Sequence, residues 1–349
     1  MALASLMTET VGAVGQSLPA TDPRSGLTLP TPHDVFRARL IVDRYLARTP
    51  LLSPPALAER LGCQVYVKCE NLQPIGAFKV RGGLFLLSEL TAAERVRGVV
   101  TASTGNHGQS IAYAAREFGV QATIFMPEAA NPLKVAAMRR FGAEIIFHGE
   151  DYDACREASE TEAAARGAHY VHPANEPRLI AGVATSTLEI LEAVPDLDVL
   201  IVPAGGGSGL SGACLIGKAI NPNLRIVGVQ ASGAPALAES WRQGRPVSLS
   251  RADTFAEGLA TRVGNSLPLA ILGPRLDDFL LVSDDELRRA VLTLLETSWL
   301  LAEGAGAASL AAAWQMRDEL AGEKVAIVLS GGNMTIDGLA DALAKERPF

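Results

Sequence analysis

Short apolar runs rich in β-branched residues alternate along the chain with longer segments in which apolar residues recur at helical spacing. The apolar runs predict eight strands, at 64–68, 98–102, 122–126, 144–148, 199–204, 225–230, 279–283 and 325–330. The longer segments predict helices, among them 107–118, 133–141, 151–166, 176–193, 208–220 and 284–298. Strands that alternate with helices form parallel sheets with helices on both faces. Eight strands favour two such sheets over one, and the fold class is therefore α/β.

Residues 1–31 do not share this alternation. They are rich in Ser, Thr, Gly and Pro, and their apolar residues show neither helical nor strand periodicity. A segment of this composition has little apolar surface to bury. We therefore predict a flexible N-terminal extension over 1–31, with regular structure from residue 32 onwards.

Composition narrows the class of protein. Hydrophobic residues make up 48% of the 349 residues and charged residues 20%, enough for a large buried core. The net charge of −7 argues against a nucleic-acid partner, because phosphate binding needs a basic face. No apolar run approaches the roughly 18 residues of a membrane helix. The N-terminus also does not resemble a signal peptide, so we expect a cytoplasmic protein with no membrane partner.

Cysteine and lysine are both sparse. The cysteines form no CxxC pair and are interpreted as small buried residues, so we predict no metal site; they are Cys63, Cys69, Cys155 and Cys214.

The chain contains only six lysines but 25 arginines. A lysine beside glycines in such a chain suggests amine chemistry that arginine cannot perform.

Three glycine-rich loops follow predicted strands, and the first spans 203–212. Backbone N–H groups at the start of a helix form an anion site there. The loop contains a GxGxxG pattern, but a dinucleotide site needs an acidic residue at the end of the next strand, which here ends at Gln230. A phosphate monoester is therefore the favoured ligand, and a purely structural turn is the alternative.

The second loop, 101–110, places two hydroxyls, an amide and an imidazole at the start of a helix. This set suits a carboxylate, although Ser103 or Thr104 could simply cap the helix and His107 could be structural. The third loop, 330–334, offers the hydroxyl of Ser330 at a strand end, or is a simple turn.

Lys79 lies between an aromatic residue and the Gly82–Gly83 pair, where a helix begins. A helix N-terminus disfavours an ammonium group and lowers its pKa, which makes the amine reactive towards carbonyl groups. A solvated surface lysine is the alternative. A phosphate site, a reactive lysine, a carboxylate loop and a strand-end hydroxyl are together what pyridoxal phosphate and an amino acid require.

The sequence resembles the fold-type II pyridoxal-phosphate enzymes, in particular the branch of threonine and serine dehydratases and serine racemases. The matching stretches occur in family order over most of residues 32–345: KCENLQPIGAFKVRGG (68–83), TASTGNHGQS (101–110), HPANEPRLIAG (172–182), VPAGGGSGLSG (202–212), FAEGLA (255–260), AEGAGA (302–307) and LSGGN (329–333). The resemblance implies pyridoxal 5'-phosphate as cofactor. It also implies two three-layer α/β/α lobes with mostly parallel sheets and an active site in the cleft between them.

The resemblance assigns cofactor roles to individual residues. Lys79 would bind the cofactor covalently and act as the base at the substrate Cα. Phe78 would pack against the cofactor ring, Asn106 would bond its 3-oxygen, and Ser330 would bond the pyridine nitrogen. The phosphate would be held by Gly205, Gly206, Gly207, Ser208 and Gly209. Gly258 would line the opposite side of the site.

Substrate contacts follow from the same resemblance. The substrate carboxylate would be received by Ser103, Thr104 and His107, with Asn106 beside them. Thr104 stands where racemases carry a serine that acts as a second acid or base, so it is also a catalytic candidate. The region 228–236 lacks the acidic residues of the divalent-cation site of serine racemases, so that metal site is not expected.

The predicted activity is a pyridoxal-phosphate-dependent ammonia-lyase that acts on a small-molecule β-hydroxy amino acid, L-threonine or L-serine. Alternatives are a dehydratase of 3-hydroxyaspartate or of a hydroxyectoine-derived substrate, a serine racemase, and a non-catalytic cofactor-binding protein. We expect a homodimer or homotetramer. The cofactor would be anchored to a larger domain of 32–97 and 173–349, and the substrate carboxylate to a smaller mobile domain of 98–172.

Overall fold

The computed structural model describes residues 20–150 and 152–349, and strands and helices alternate along them. The strands are β1 Leu51–Leu52, β2 Gln64–Cys69, β3 Val99–Ala102, β4 Ala122–Met126, β5 Glu144–Phe147, β6 His169–Tyr170, β7 Val199–Pro203, β8 Arg225–Ala231, β9 Asp278–Val282 and β10 Lys324–Leu329. The helices are α1 Pro32–Tyr45, α2 Pro55–Leu61, α3 Val80–Ser88, α4 Ala92–Arg97, α5 Asn106–Phe118, α6 Pro132–Arg140, α7 Tyr152–Arg166, α8 Pro177–Ala193, α9 Ser208–Ile220, α10 Ala236–Gln243, α11 Ser266–Leu272, α12 Asp284–Ser298, α13 Gly304–Gln315 and α14 Ile336–Lys345.

The strands form two sheets, as predicted. The larger has the order β1-β2-β10-β7-β8-β9 and the smaller the order β5-β4-β3-β6. Every pairing is parallel except that of β1 with β2. The eight predicted strands are confirmed to within one residue at each end. The sequence analysis missed β1 and β6, because two residues are too few to show an apolar run.

The larger sheet is the middle layer of three. Alternate residues of its central strands face opposite cores, as the period of two requires. Val199 and Ile201 pack with α2, α12 and α13 on one face, whereas Leu200 and Val202 pack with α8, α9 and α11 on the other. Strands buried on both faces read as continuous apolar runs, which is why the sequence revealed them.

The smaller sheet is also covered on both faces. Val99 and Ile124 pack towards α3, α5 and α6. Val100 and Phe125 pack towards α7. The predicted three-layer lobes are therefore present in both sheets, and the polar ends of the strands remain available for a site between them.

The N-terminal part of the chain corrects one expectation. Within the predicted extension, residues 20–31 form a turn closed by a bridge between Thr21 and Thr28, and Leu29 is buried in the core of the larger sheet. This part is packed because Leu29 and the buried Asp22 anchor it. The rest of the predicted extension lies outside the described residues.

The predicted division into two domains places all four strands of the smaller sheet within 98–172. Helix α3 belongs to the predicted larger domain, yet Val80 and Leu84 share the core of the smaller sheet. The same helix crosses α8 of the larger lobe closely at Gly82. Helix α3 thus packs against both lobes. The division into two domains stays a prediction.

The four cysteines are buried, which confirms their interpretation as small core residues. In the part of the chain that the structure describes, no helix has both the length and the apolar character needed to cross a membrane.

A buried ionic cluster fixes α3 to the larger lobe. The fully buried Arg81 donates to both oxygens of Glu70 at 2.8 Å and to both oxygens of Glu189 at 2.8 and 2.9 Å. Lys68 donates to Glu189 at 2.5 Å and Thr49 donates to Glu70 at 2.6 Å. Burial alone would raise the pKa of both carboxyls, but the charge and hydrogen bonds of Arg81 outweigh it and hold both values low. The cluster links β2, α3 and α8, and its central residue, Arg81, lies two residues after Lys79.

Replacing Arg81 by methionine tests how strongly the fold depends on this cluster. Arg81→Met leaves two buried carboxylates without their shared partner, and we expect the free energy of unfolding to fall by about 3–5 kcal/mol in urea titrations. Arg156→Met is the matched control, since its ion pair with Glu160 spans one turn of α7 at the surface and should cost about 0.5 kcal/mol or less. Equal losses for the two variants would contradict a structural role for the cluster.

Candidate active site

Lys79 is held at the junction of α3 and the end of β10. The residues before it pair with the loop after β10: Ala77 bridges Gly331, and the Phe78 N–H donates to the Ser330 carbonyl at 3.0 Å. Helix α3 begins at the next residue, as the sequence predicted. This pairing brings the predicted covalent lysine and the predicted strand-end hydroxyl to one place.

The glycines after Lys79 let three helices meet. A Cβ on Gly83 would lie 2.4 Å from the Ser110 hydroxyl of α5, and one on Gly82 would lie 2.9 Å from the Leu179 carbonyl of α8. The Ser110 hydroxyl donates to the Lys79 carbonyl at 2.6 Å. Any side chain at these glycines would push α3 away from its neighbours and displace Lys79.

The Lys79 amine is half-buried and faces the first glycine-rich loop. Its Nζ lies 3.2 Å from the Ser208 hydroxyl and 5.6 Å from the centre of the Phe78 ring. Burial lowers the pKa of the amine to about 8, since water cannot fully solvate the ammonium there. The neutral, nucleophilic form is therefore a minor fraction at pH 7, but a far larger one than in an ordinary lysine.

The loop between β7 and α9 forms an anion cradle. Gly207 has φ +99°, which favours glycine, and a Cβ there would lie 2.8 Å from Leu237 and 2.9 Å from Pro268. A Cβ on Gly205 would lie 2.1 Å from the Gly258 carbonyl, and one on Gly209 would lie 3.1 Å from the Phe78 ring. No side chain caps α9, so its first N–H groups have no helical acceptor and can bind an anion.

Gln230 removes the dinucleotide interpretation of this loop. The residue is fully buried, and its Oε1 accepts the N–H groups of Leu237 and Ala238 at 3.2 and 3.1 Å, which caps α10. A ribose-binding carboxylate is therefore absent from the end of β8. The amide oxygen at this position instead caps α10.

The loop between β3 and α5 starts with a structural serine. The Ser103 hydroxyl accepts the N–H groups of Gly105 and Gly108 at 3.2 and 2.9 Å, so the capping alternative describes this side chain. Gly108 in turn packs against Met138 of α6, since a Cβ there would lie 2.7 Å from the methionine methyl group. Thr104 is half-buried beside them. The loop is thus shaped by its own hydroxyl and by α6.

His107 is neutral, and its hydrogen-bond direction is fixed. Thr101 donates its only hydroxyl proton to the Val171 carbonyl at 2.7 Å, so the His107 Nε2–H must donate to Thr101 at 2.9 Å. Burial, with the Lys79 charge second, lowers the pKa of His107 to about 3. Its buried Nδ1 has no partner in the described part of the chain and carries a lone pair. The imidazole therefore cannot donate to a carboxylate from Nδ1, and such a contact would come from the main-chain N–H of this residue.

Asn106 reaches two residues to which the sequence analysis gave no role. Its Nδ2 donates to Glu303 at 2.7 Å, and its Oδ1 accepts from Asn333 at 2.7 Å. Burial raises the pKa of Glu303 above its ordinary value. Glu303 and Asn333 both lie in stretches that resemble the family, at 302–307 and 329–333. The sequence signal for a role of Glu303 is that it is the one charged residue among the alanines and glycines of 302–307.

Ser330 and Gly258 complete the set of predicted residues. Ser330 is buried at the end of β10, and its hydroxyl lies 3.5 Å from the Ala305 carbonyl at the start of α13. Gly258 lies in a 3₁₀ turn, Glu257–Leu259, packed on Gly205. The predicted cofactor residues thus gather at the carboxyl ends of β7 and β10, and the 103–107 loop faces them from the smaller sheet through Asn106.

The chain belongs to the family of pyridoxal-phosphate dependent enzymes, whose pattern it matches over residues 42–331. An L-threonine ammonia-lyase of Thermotoga maritima is 39% identical over 88% of this chain and 76% of its own length. An L-threo-3-hydroxyaspartate ammonia-lyase of Saccharomyces cerevisiae is 38% identical over 91% of this chain and 98% of its own length. The solved structure of maize serine racemase superposes with a TM-score of 0.85 at 32% identity, and covers 90% of this chain and 97% of the racemase.

The residues present fit pyridoxal phosphate. The cradle at 205–209 has no room for a side chain at Gly205 or Gly207 but offers N–H groups without a helical acceptor, as a phosphate requires. The partly neutral Lys79 amine beside it suits a bond to an aldehyde. The recognition of the family and the cofactor from the sequence is confirmed.

The cradle predicts a clear difference between two neighbouring substitutions. Gly207→Val would force a strained φ and a clash with Leu237 and Pro268, so we expect the apoprotein to bind pyridoxal phosphate at least about tenfold more weakly. Ser208→Ala should cost less, because most donors are main-chain. Fluorescence titration measures both, with thermal melting to show that each variant folds. Unchanged affinity in Gly207→Val would remove the phosphate assignment.

The pKa of Lys79 predicts when its amine becomes reactive. Because burial lowers this pKa to about 8, labelling of Lys79 by pyridoxal phosphate should rise to a plateau just above that pH. Lys324 is the internal control, since its ion pair with Asp196 raises its pKa and its labelling should rise at higher pH. Borohydride trapping followed by peptide mass spectrometry reads each lysine separately. Parallel profiles for the two lysines would contradict the depressed pKa.

Proposed function

We propose that the chain is a pyridoxal-phosphate-dependent ammonia-lyase that converts a β-hydroxy amino acid, L-threonine or L-serine, to a 2-oxo acid and ammonia. The observation that carries the proposal is the Lys79 amine, with its lowered pKa, 3.2 Å from Ser208 at the start of the anion cradle. The similarity to threonine ammonia-lyases over most of the chain supports the same activity.

Lys79 has two tasks in this proposal. Its amine would hold the cofactor and, when free of it, would take the proton from the substrate Cα. When bound, pyridoxal phosphate supplies the electron sink that makes this proton acidic. The substrate β-hydroxyl would leave as water with the proton that Lys79 has taken from Cα, and hydrolysis of the resulting enamine would give the 2-oxo acid and ammonia.

Ser330 favours elimination over other reactions of the same cofactor. Its hydroxyl is a hydrogen-bond partner for a neutral pyridine nitrogen, whereas a carboxylate there would favour the protonated ring. A neutral ring withdraws electron density from Cα less strongly than a protonated ring. This suits a reaction in which the leaving group departs as Cα loses its proton. Asn106 would bond the 3-oxygen of the ring, and Phe78 would pack on its face.

The substrate carboxylate is assigned to the 103–107 loop. The N-terminus of α5 provides main-chain N–H groups and a favourable dipole for an anion. We assign the contact to the main chain of Thr104 to His107 and to the Ser103 hydroxyl, whose proton has only a 3.5 Å contact with the Gly105 carbonyl. The His107 imidazole is left out because it donates its one proton to Thr101. The Thr104 hydroxyl is the candidate second acid or base, which would give a weak racemase activity.

A dehydratase of 3-hydroxyaspartate is the second candidate. It is favoured by the yeast relative, which carries that name and matches nearly its whole length at 38% identity. A homodimer or homotetramer and a cytoplasmic location stay predictions from the sequence.

A substrate panel tests the proposal. The purified holoenzyme is assayed for 2-oxo acid with L-threonine, L-serine, D-serine and L-threo-3-hydroxyaspartate. We expect L-threonine or L-serine to give the highest kcat/KM, and Lys79→Ala to lose at least about a thousandfold in kcat, because it removes both the base and the covalent anchor. Lys218→Ala, on α9 away from the cradle, is the control. Full activity in Lys79→Ala, or no 2-oxo acid from any substrate, would refute the proposal.

A further inference from the structure

Two ion pairs join the smaller lobe to one loop of the larger lobe. Lys134 on α6 pairs with Glu257, and Asp153 on α7 pairs with Arg262. Glu257 and Arg262 lie in one segment, 255–263, which lines the site through Gly258. Helices α6 and α7 both pack on the smaller sheet. These two ion pairs therefore connect the smaller lobe to the larger lobe.

Lys134 is placed differently from an ordinary surface lysine. Its side chain is only 16% exposed, whereas that of Glu257 is 61% exposed. Burial lowers the pKa of Lys134, and the charge of the nearby Glu303 opposes this effect. Glu303 accepts a hydrogen bond from Asn106, so Lys134 reaches the interior of the cleft. Its ammonium group is therefore balanced by carboxylates of the opposite lobe.

Helix α6 connects this ion pair to the substrate loop. Met138, one turn after Lys134, fills the space beside Gly108. Gly108 lies in the first turn of α5, directly after Asn106 and His107, and its N–H is held by Ser103. A shift of α6 relative to segment 255–263 would therefore move the loop that is assigned to the substrate carboxylate.

We propose that Lys134 and Arg262 are positioning residues: their ion pairs with Glu257 and Asp153 hold the smaller lobe against segment 255–263 and thereby place the 103–107 loop over Lys79. The proposal rests on the assignment of substrate binding to that loop. It assigns these residues no contact with substrate. Their effect is on the closed arrangement of the two lobes, which the substrate also favours by contacting both.

Neutral substitutions in double-mutant cycles test the pairs. Lys134→Met and Glu257→Gln should each raise KM by about two- to fivefold with less change in kcat, as expected for loss of one partly exposed ion pair. The double variant should be no worse than the worse single variant, because both remove the same interaction. Arg262→Gln and Asp153→Asn should behave in the same way. Additive losses, an unchanged KM, or a loss confined to kcat would overturn the proposal.

A second measurement does not depend on turnover. Hydrogen exchange of the holoenzyme should show faster exchange at 103–109 in Lys134→Met and Arg262→Gln than in the wild type, with no change at 205–209. Lys324→Gln removes an ion pair with Asp196 at the edge of the larger lobe and is the control expected to change neither region. If no amino acid is turned over but exchange responds as expected, the proposed function fails and the positioning role stands. Unchanged exchange at 103–109 in both variants overturns the positioning role.

Discussion

The placement of Lys79 depends on the buried guanidinium of Arg81. Two buried carboxylates, Glu70 and Glu189, approach it from the turn after β2 and from α8, and it is the charge that both share at hydrogen-bond distance. Because the partners come from different elements, the cluster fixes the position of α3 relative to the larger sheet. Close packing at the two glycines that follow then fixes α3 relative to α5 and α8. A reactive amine at the start of α3 is thus located by interactions that have no part in chemistry.

The sequence predicted those features that local pattern determines. Doubly covered parallel strands give uninterrupted apolar runs, so eight strands were found, and glycines at strand ends marked the loops. The two-residue strands β1 and β6 leave no such pattern. The packing of Leu29 was missed because residues 20–31 are locally polar, and only the tertiary fold provides the core in which one leucine is buried.

The polar residues of the site show where such prediction stops. Lys79 and the glycine loops could be recognised because residue type and spacing carry their chemistry. The roles of Glu303 and Asn333 arise only when β10 and α13 bring them to Asn106. For His107 the sequence offers an imidazole, but Thr101 and Val171 decide which of its nitrogens carries the proton. Hydrogen-bond direction is a property of the assembled site and cannot be read from one segment.

The electrostatics of the cleft follow from the same assembly. Helices α3, α5 and α9 all begin at it and direct the positive ends of their dipoles towards the cleft. The N-cap residues of α5 and α9 provide no side-chain acceptor, so these two helices also offer main-chain N–H groups to a ligand. Such a site favours anions and disfavours an ammonium group, in agreement with the lowered pKa of Lys79 and the neutrality of His107. Among the described residues, Glu303 is the carboxyl that contacts Asn106, and burial raises its pKa above the ordinary value. The proposed phosphate at α9 and the proposed substrate carboxylate at α5 would balance this field, and the two helices belong to different lobes. A substrate joined to the cofactor would then neutralise both lobes at once, which would give the predicted closure an electrostatic driving force in addition to any contact between them.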